Sequence, residues 1–199
     1  GVNVDGVKNY ASTPFKVECW GDSLTTSGQS FIGYPQALRN LYVAAGSGCW
    51  AYEGGVGGET STQIKVRMLA ATNRYAYPTI IWAGRNNYTS PATVLTDIAA
   101  MVAALTTTNY LILSVLNGDY SNEYSGQTDY DTLVGLNASL AAAYPGKYLD
   151  IRSLLVAQYD PNDAQDVIDH GRDIPPSSLR TDLIHLNKAG YAYVAAQVK

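Results

Sequence analysis

Charged side chains are scarce in this sequence, and so are the residues that build metal sites: of 199 residues, 15% are charged, two are cysteine and two are histidine. Cys19 and Cys49 form no C-x-x-C pair, and two histidines complete no zinc cluster at a recognisable spacing, which excludes a structural metal. A domain of this length does not need a disulfide, so two buried free thiols are expected. There is no basic run. With 13 Lys and Arg against 17 Asp and Glu the net charge is −4, which argues against a nucleic-acid partner and against polybasic adhesion to a membrane. The longest apolar stretch, Ile98 to Leu105, has 8 residues, far short of the roughly 20 that cross a bilayer, so no membrane insertion is expected. Gly1 is not an initiator methionine and no charged-then-apolar leader follows it, which reads as a trimmed or mature chain.

What is abundant is apolar and small: 46% of residues are hydrophobic, 18 are Gly and 16 are Tyr. That supplies the core of one domain over residues 1–199, with 1–14 as an N-terminal extension packing on it. Residues 15–20 alternate apolar and charged side chains and read as a strand, although Lys16 and Glu18 are unusual for a central one. Pro35, Leu38, Leu41, Tyr42 and Ala45 have helical spacing, and Gly46 suits the residue after the helix. A second strand is expected around Cys49–Glu53. Thr60 and Gln63 form a capping box for a helix carrying Ile64, Met68 and Ala71. Pro78–Ala83 and Tyr110–Leu116 are short apolar runs, as in strands buried on both faces. Between them Ser90 and Pro91 open a helix with Val94, Ile98, Met101, Val102 and Leu105 on one face. A further helix is expected from about Asp129 to Ala143, a short strand at 148–151, an irregular polar segment at 156–180, and a last helix capped by Asn187. The alternation predicts an α/β protein, a three-layer α/β/α sandwich around a parallel sheet of about five strands.

In such sheets ligands sit beyond the carboxyl ends of the strands, so the loops starting at Gly21, Gly54, Gly84 and Asn117 should converge. The first reads Gly21-Asp22-Ser23-Leu24-Thr25. Thr25 stands where the α/β-hydrolase elbow would require glycine, which disfavours that family. A serine hydroxyl becomes a nucleophile only when an imidazole takes its proton. His185 follows Asp182 by three residues, close enough for the carboxylate to orient it, and is read as the base; His170, in the polar segment, is read as a surface residue. The Gly54–Gly58 run and Gly84-Arg85-Asn86-Asn87 are the candidate sources of oxyanion donors.

These blocks resemble the SGNH (GDSL-type) hydrolases. The resemblance implies Ser23 in G-D-S-L as nucleophile, Gly58 in G-G-E-T and Asn86 in G-R-N-N as oxyanion donors beside the Ser23 N–H, and Asp182 and His185 as the D-x-x-H pair. It spans the chain from Phe15 to the final helix. The family usually has Asp after the third-block asparagine; here Asn87 replaces it, which alters the hydrogen bonds open to that loop. The resemblance implies a flavodoxin-like SGNH fold, a serine esterase working through an acyl-enzyme, and no cofactor. Polar loops favour an O-acetylated carbohydrate as substrate, with Asp22, Arg85, Tyr88 and Tyr120 as substrate-binding candidates and Trp20 as a further stacking residue. The expected setting is extracellular, on a cell surface or a virion. A lysophospholipase or thioesterase, and a non-catalytic carbohydrate adhesin on the same fold, stay open as alternatives. The sequence carries no signal of oligomeric state.

Overall fold

The computed structural model describes residues 14–26 and 32–199. Five strands, β1 (Phe15–Gly21), β2 (Cys49–Gly55), β3 (Thr79–Trp82), β4 (Tyr110–Leu113) and β5 (Tyr148–Leu149), alternate with helices α1 (Tyr34–Ala44), α2 (Ser61–Ala70), α3 (Pro91–Ala104), α4 (Thr128–Ala143), α5 (Ile151–Val156), α6 (Ala164–Gly171) and α7 (Lys188–Gln197). All strand pairs are parallel, in the order β2-β1-β3-β4-β5. The chain steps from β1 to one side and then crosses back, so the sheet has a switch point between β1 and β3, where a crevice opens at the carboxyl edge. The expected α/β/α sandwich is the observed architecture.

Strand periodicity divides the core in two. On β3, Ile80 and Trp82 pack with α1, α5 and α7, while Ile81 packs with Ile64 and Met68 of α2, Ile98 of α3 and Leu136 of α4. Each buried branched side chain of this kind contributes about 1.5–3 kcal/mol. The capping box forms as expected, the Gln63 side-chain oxygen accepting the Thr60 N–H at 2.9 Å. Asn187 caps α7. No described helix is long and apolar enough to cross a membrane. Both cysteines are free thiols, Cys19 buried and Cys49 half-buried. The expected N-terminal extension lies, but for Pro14, outside the described residues.

Three local expectations fail for physical reasons. Strand β4 stops at Leu113, not Leu116, because a buried side chain takes over as ladder partner: the Asn137 amide accepts the Val115 N–H at 2.8 Å and donates to its carbonyl at 2.9 Å. Strand β5 is only two residues long, since Asp150 caps α5 directly after it by accepting the Ser153 N–H. The polar segment holds α6, capped by Asp163; its buried positions are Asp166 and Asp169 while Val167 and Ile168 are exposed, so it shows no apolar stripe. Glu18, odd for a central strand, is 4% exposed and is matched by Arg74 at 2.7 Å. Burial raises its carboxyl pKa against the pull of that guanidinium.

Candidate active site

Strand β1 delivers Ser23 through a turn that only glycine permits at its start. A Cβ on Gly21 would sit 2.0 Å from Thr25 Oγ1 and 2.5 Å from the Trp82 carbonyl. Asp22 closes the turn: Oδ1 accepts the Leu24 N–H at 2.9 Å, and its carbonyl accepts the N–H groups of Thr25 and Thr26. Ser23 is thereby half-buried at the carboxyl edge of the sheet.

The D-x-x-H turn reaches the same point from the other end of the chain. Asp182 Oδ1 accepts the N–H groups of Ile184 (2.9 Å) and His185 (2.7 Å), Oδ2 meets His185 Nδ1 at 2.7 Å, and His185 Nε2 lies 2.9 Å from Ser23 Oγ. Burial alone would favour a neutral Asp182, but these main-chain donors and the imidazole outweigh it and hold the carboxyl below its ordinary range. Buried Arg180 steadies the turn, donating through Nη1 to the Asp182 carbonyl (3.0 Å), through Nη2 to Asp169 (2.9 Å) and through Nε to the Pro175 carbonyl (2.8 Å). In this geometry the imidazole can accept the hydroxyl proton while the carboxylate fixes its tautomer.

The two remaining loops add donors. Gly58 takes a left-handed φ of +77°, and among the described residues the main-chain N–H groups of Ser23 and Gly58 meet no protein acceptor. Asn86 is aimed by a hydrogen bond from Nδ2 to the Glu59 carbonyl at 2.9 Å. Asn87, the departure from the family pattern, is tied to the start of α2: its Oδ1 accepts the Ser61 N–H and its Nδ2 donates to Ser61 Oγ, both at 3.0 Å. Ser61 Oγ already gives its proton to Asp97 at 2.7 Å, so a second carboxylate at position 87 would have no proton to accept from it.

These four loops and the loop carrying Tyr120 line a cavity of about 460 Å³. Ser23, His185, Gly58 and Asn86 line it as expected, and so do Arg85 and Tyr120; Gly57, within the Gly54–Gly58 run, and Ile184, which no expectation named, complete the wall. The Arg85 guanidinium is paired at 2.8 Å on both nitrogens with buried Glu123, whose carboxylate also accepts the Gly118 N–H. It lies 5.5 Å from the Tyr120 ring centroid and so backs that wall. Two expectations are corrected. Tyr88 is 8% exposed and spends its hydroxyl on Glu123 at 2.9 Å, and Trp20 is 2% exposed in the core, so neither can stack on a sugar. Asp22 is buried beneath Ser23 rather than open to a substrate. His170 is exposed and stacks on Tyr159, as a surface residue would.

Burial pushes the Asp22 carboxyl up to about 6, against the Leu24 N–H and the positive fields of Arg85 and His185. Its folded state is therefore the weaker acid: stability is fully present below pH 3.8 and is lost as pH rises through the window to about 6, by about 3 kcal/mol at most. Asp22→Asn keeps an acceptor for Leu24 and removes the buried charge. Thermal melts should show the variant more stable than wild type by about 1–3 kcal/mol at pH 7.5, with the gap closing near pH 4. An equal gap at both pH values would count against a buried charge at this site.

No protein-family model matches the chain. A tail spike protein of Salmonella phage epsilon15 is 33% identical over an alignment of 111 residues that covers 53% of this chain and 10% of that curated relative's length. Solved structures align over nearly the whole chain. AlinE4, an SGNH-hydrolase family esterase, is 18% identical with a TM-score of 0.61, covering 94% of this chain and 93% of its own. A member of the lipolytic protein G-D-S-L family from Veillonella parvula DSM 2008 is 18% identical with a TM-score of 0.62, covering 92% and 97%. Axe2, an acetylxylan esterase from Geobacillus stearothermophilus, is 15% identical with a TM-score of 0.64, covering 94% of each chain. The chain has the fold of the SGNH hydrolases. Within that fold its carboxyl-edge loops bring a serine, a histidine and an aspartate into one hydrogen-bonded line.

Proposed function

We propose that this chain is an SGNH serine esterase whose substrate is an O-acetylated carbohydrate. The observation that carries the reading is the unbroken line from Asp182 Oδ2 through the His185 ring to Ser23 Oγ, with links of 2.7 and 2.9 Å, opening on a cavity with donors on its other side. Ser23 Oγ attacks the ester carbonyl carbon as His185 Nε2 takes its proton, and Asp182 stabilises the imidazolium that forms. The N–H groups of Ser23 and Gly58 and the Asn86 amide hold the negative charge on the carbonyl oxygen. Collapse of this intermediate releases the alcohol, protonated by His185. Water then gives a proton to His185 and attacks the acyl-Ser23 ester, which frees the acid and restores the hydroxyl. No step calls for a cofactor.

The carbohydrate reading is supported by a cavity walled by glycine, asparagine, arginine and tyrosine with Ile184 as its one branched aliphatic residue among the described residues, by the fold shared with an acetylxylan esterase, and by the tail spike relative. The same relative supports an extracellular, surface- or virion-associated setting. Kinetics on p-nitrophenyl esters from acetate to octanoate test the substrate class. Acetate should exceed octanoate in kcat/KM by about tenfold or more. Preference for the long chain would replace the reading with a lipid or thioester substrate, and no turnover of any ester would leave the adhesin.

A further inference from the structure

The active-site cavity has a neighbour. A second cleft of about 570 Å³ lies behind the D-x-x-H turn, lined by Asp119, Tyr124, Arg172 and Leu183 among others. Two short strips of chain separate the clefts. Tyr120 and Ile184 line the catalytic cavity, and their immediate neighbours Asp119 and Leu183 line the second cleft. The strips are locked together: the Asp119 N–H donates to the Leu183 carbonyl at 2.7 Å, and a Cβ on Gly118 would fall 2.6 Å from that same oxygen. The Leu183 side chain is 47% exposed on the ridge between them, an apolar group left in water beside the candidate nucleophile and base.

The chemistry of the second cleft is that of a polyol site. Tyr124 donates its hydroxyl to Asp119 Oδ1 at 2.6 Å, Arg172 reaches the same oxygen at 3.4 Å, and the Arg172 guanidinium lies 4.5 Å from the Tyr124 ring centroid. Among the described residues this is the one protein acceptor that the Arg172 guanidinium meets, so most of its five N–H groups remain for a ligand. Arg180 also lines the cleft, 3.6 Å from Asp119, and Asp119 and Asp182 set two carboxylates against the two guanidiniums, which disfavours an anionic ligand. The polar lining disfavours an acyl chain. A sugar ring suits it: vicinal hydroxyls can donate to carboxylate and accept from guanidinium, while the C–H face rests on Leu183.

We propose that this cleft is a second glycan subsite and that the substrate is an acetylated oligosaccharide or polysaccharide, one acetylated sugar held at Ser23 and a neighbouring sugar crossing Leu183 to bind between Asp119 and Arg172. This rests on the esterase reading for the reaction, not for the binding. The test uses acetylated xylo-, manno-, cello- and chito-oligosaccharides of one to four sugars. In at least one series kcat/KM should rise by about tenfold or more from one sugar to three. Arg172→Ala and Tyr124→Ala should each remove that gain while keeping p-nitrophenyl acetate turnover within about twofold, which also shows that the variants fold. Calorimetric binding of the same sugars to Ser23→Ala, with and without Arg172→Ala, reads the subsite without catalysis. Absence of a length dependence in every series, or one that survives both substitutions, overturns the proposal. A wild type inactive on every ester would instead remove the esterase reading, leaving the binding arm to decide the subsite.

Discussion

Replacing Ser23 by alanine is expected to lower kcat on p-nitrophenyl acetate by about 10⁵–10⁶, to the level that the oxyanion donors and cavity sustain without a nucleophile. The reason is geometric. Ser23 Oγ is the group 2.9 Å from His185 Nε2, and removing it leaves the imidazole nothing to deprotonate except water. KM should change little, since the hydroxyl supplies bond formation rather than binding. The fold should tolerate the change: Ser23 is half-buried, and the turn around it is held by the Asp22 carboxylate and carbonyl, not by the serine side chain. A thermal melt near that of wild type beside lost turnover, together with loss of labelling by a fluorophosphonate probe, is the expected pair of results. Residual activity within about tenfold of wild type would mean that some other group attacks the ester, and would remove Ser23 from the mechanism.

The sheet and the site were legible in the sequence to different depths, and the difference follows from what each local signal depends on. Apolar runs such as Thr79–Trp82 announce buried strands because both faces must be dry, and the Thr60–Gln63 box announces a helix start because it satisfies main-chain donors locally. The active-edge loops were legible for a related reason: once the strands are placed, topology brings the loops that start at Gly21, Gly54, Gly84 and Asn117 to one end, while the choice of Gly58, Asn86 and the D-x-x-H pair rested on their local motifs and on the resemblance to the SGNH hydrolases. What stayed hidden depends on partners distant in sequence. Glu18 makes sense only with Arg74, Val115 only with Asn137, and α6 only with Arg180 and Ser178, which satisfy its buried acids Asp169 and Asp166. Tyr88 misled because its position beside Asn86 says nothing of which way its ring points; Glu123, 35 residues on, draws it inward.

Asp182→Asn is expected to lower kcat by about 10⁴ with the fold intact. The amide oxygen can still accept the Ile184 and His185 N–H groups that shape the turn, so the main chain has no cause to move. The NH₂ group, however, would face His185 Nδ1, now 2.7 Å from a carboxylate oxygen. An amide nitrogen only donates, so Nδ1 must become the acceptor and the ring proton must shift to Nε2, where it points at Ser23 Oγ and cannot take the hydroxyl proton. The variant thus keeps the triad's shape and loses its chemistry. The wild-type carboxyl, held below its ordinary range, is ionised across neutral and mildly acidic pH; the stability it contributes is present above pH 3.8 and lost only as pH falls below that value. A loss of wild-type activity between pH 7 and pH 5 would therefore not come from protonation of Asp182. A loss of less than about tenfold in Asp182→Asn, with an unchanged melt, would mean that the ring is oriented without the carboxylate and that Asp182 serves the turn alone.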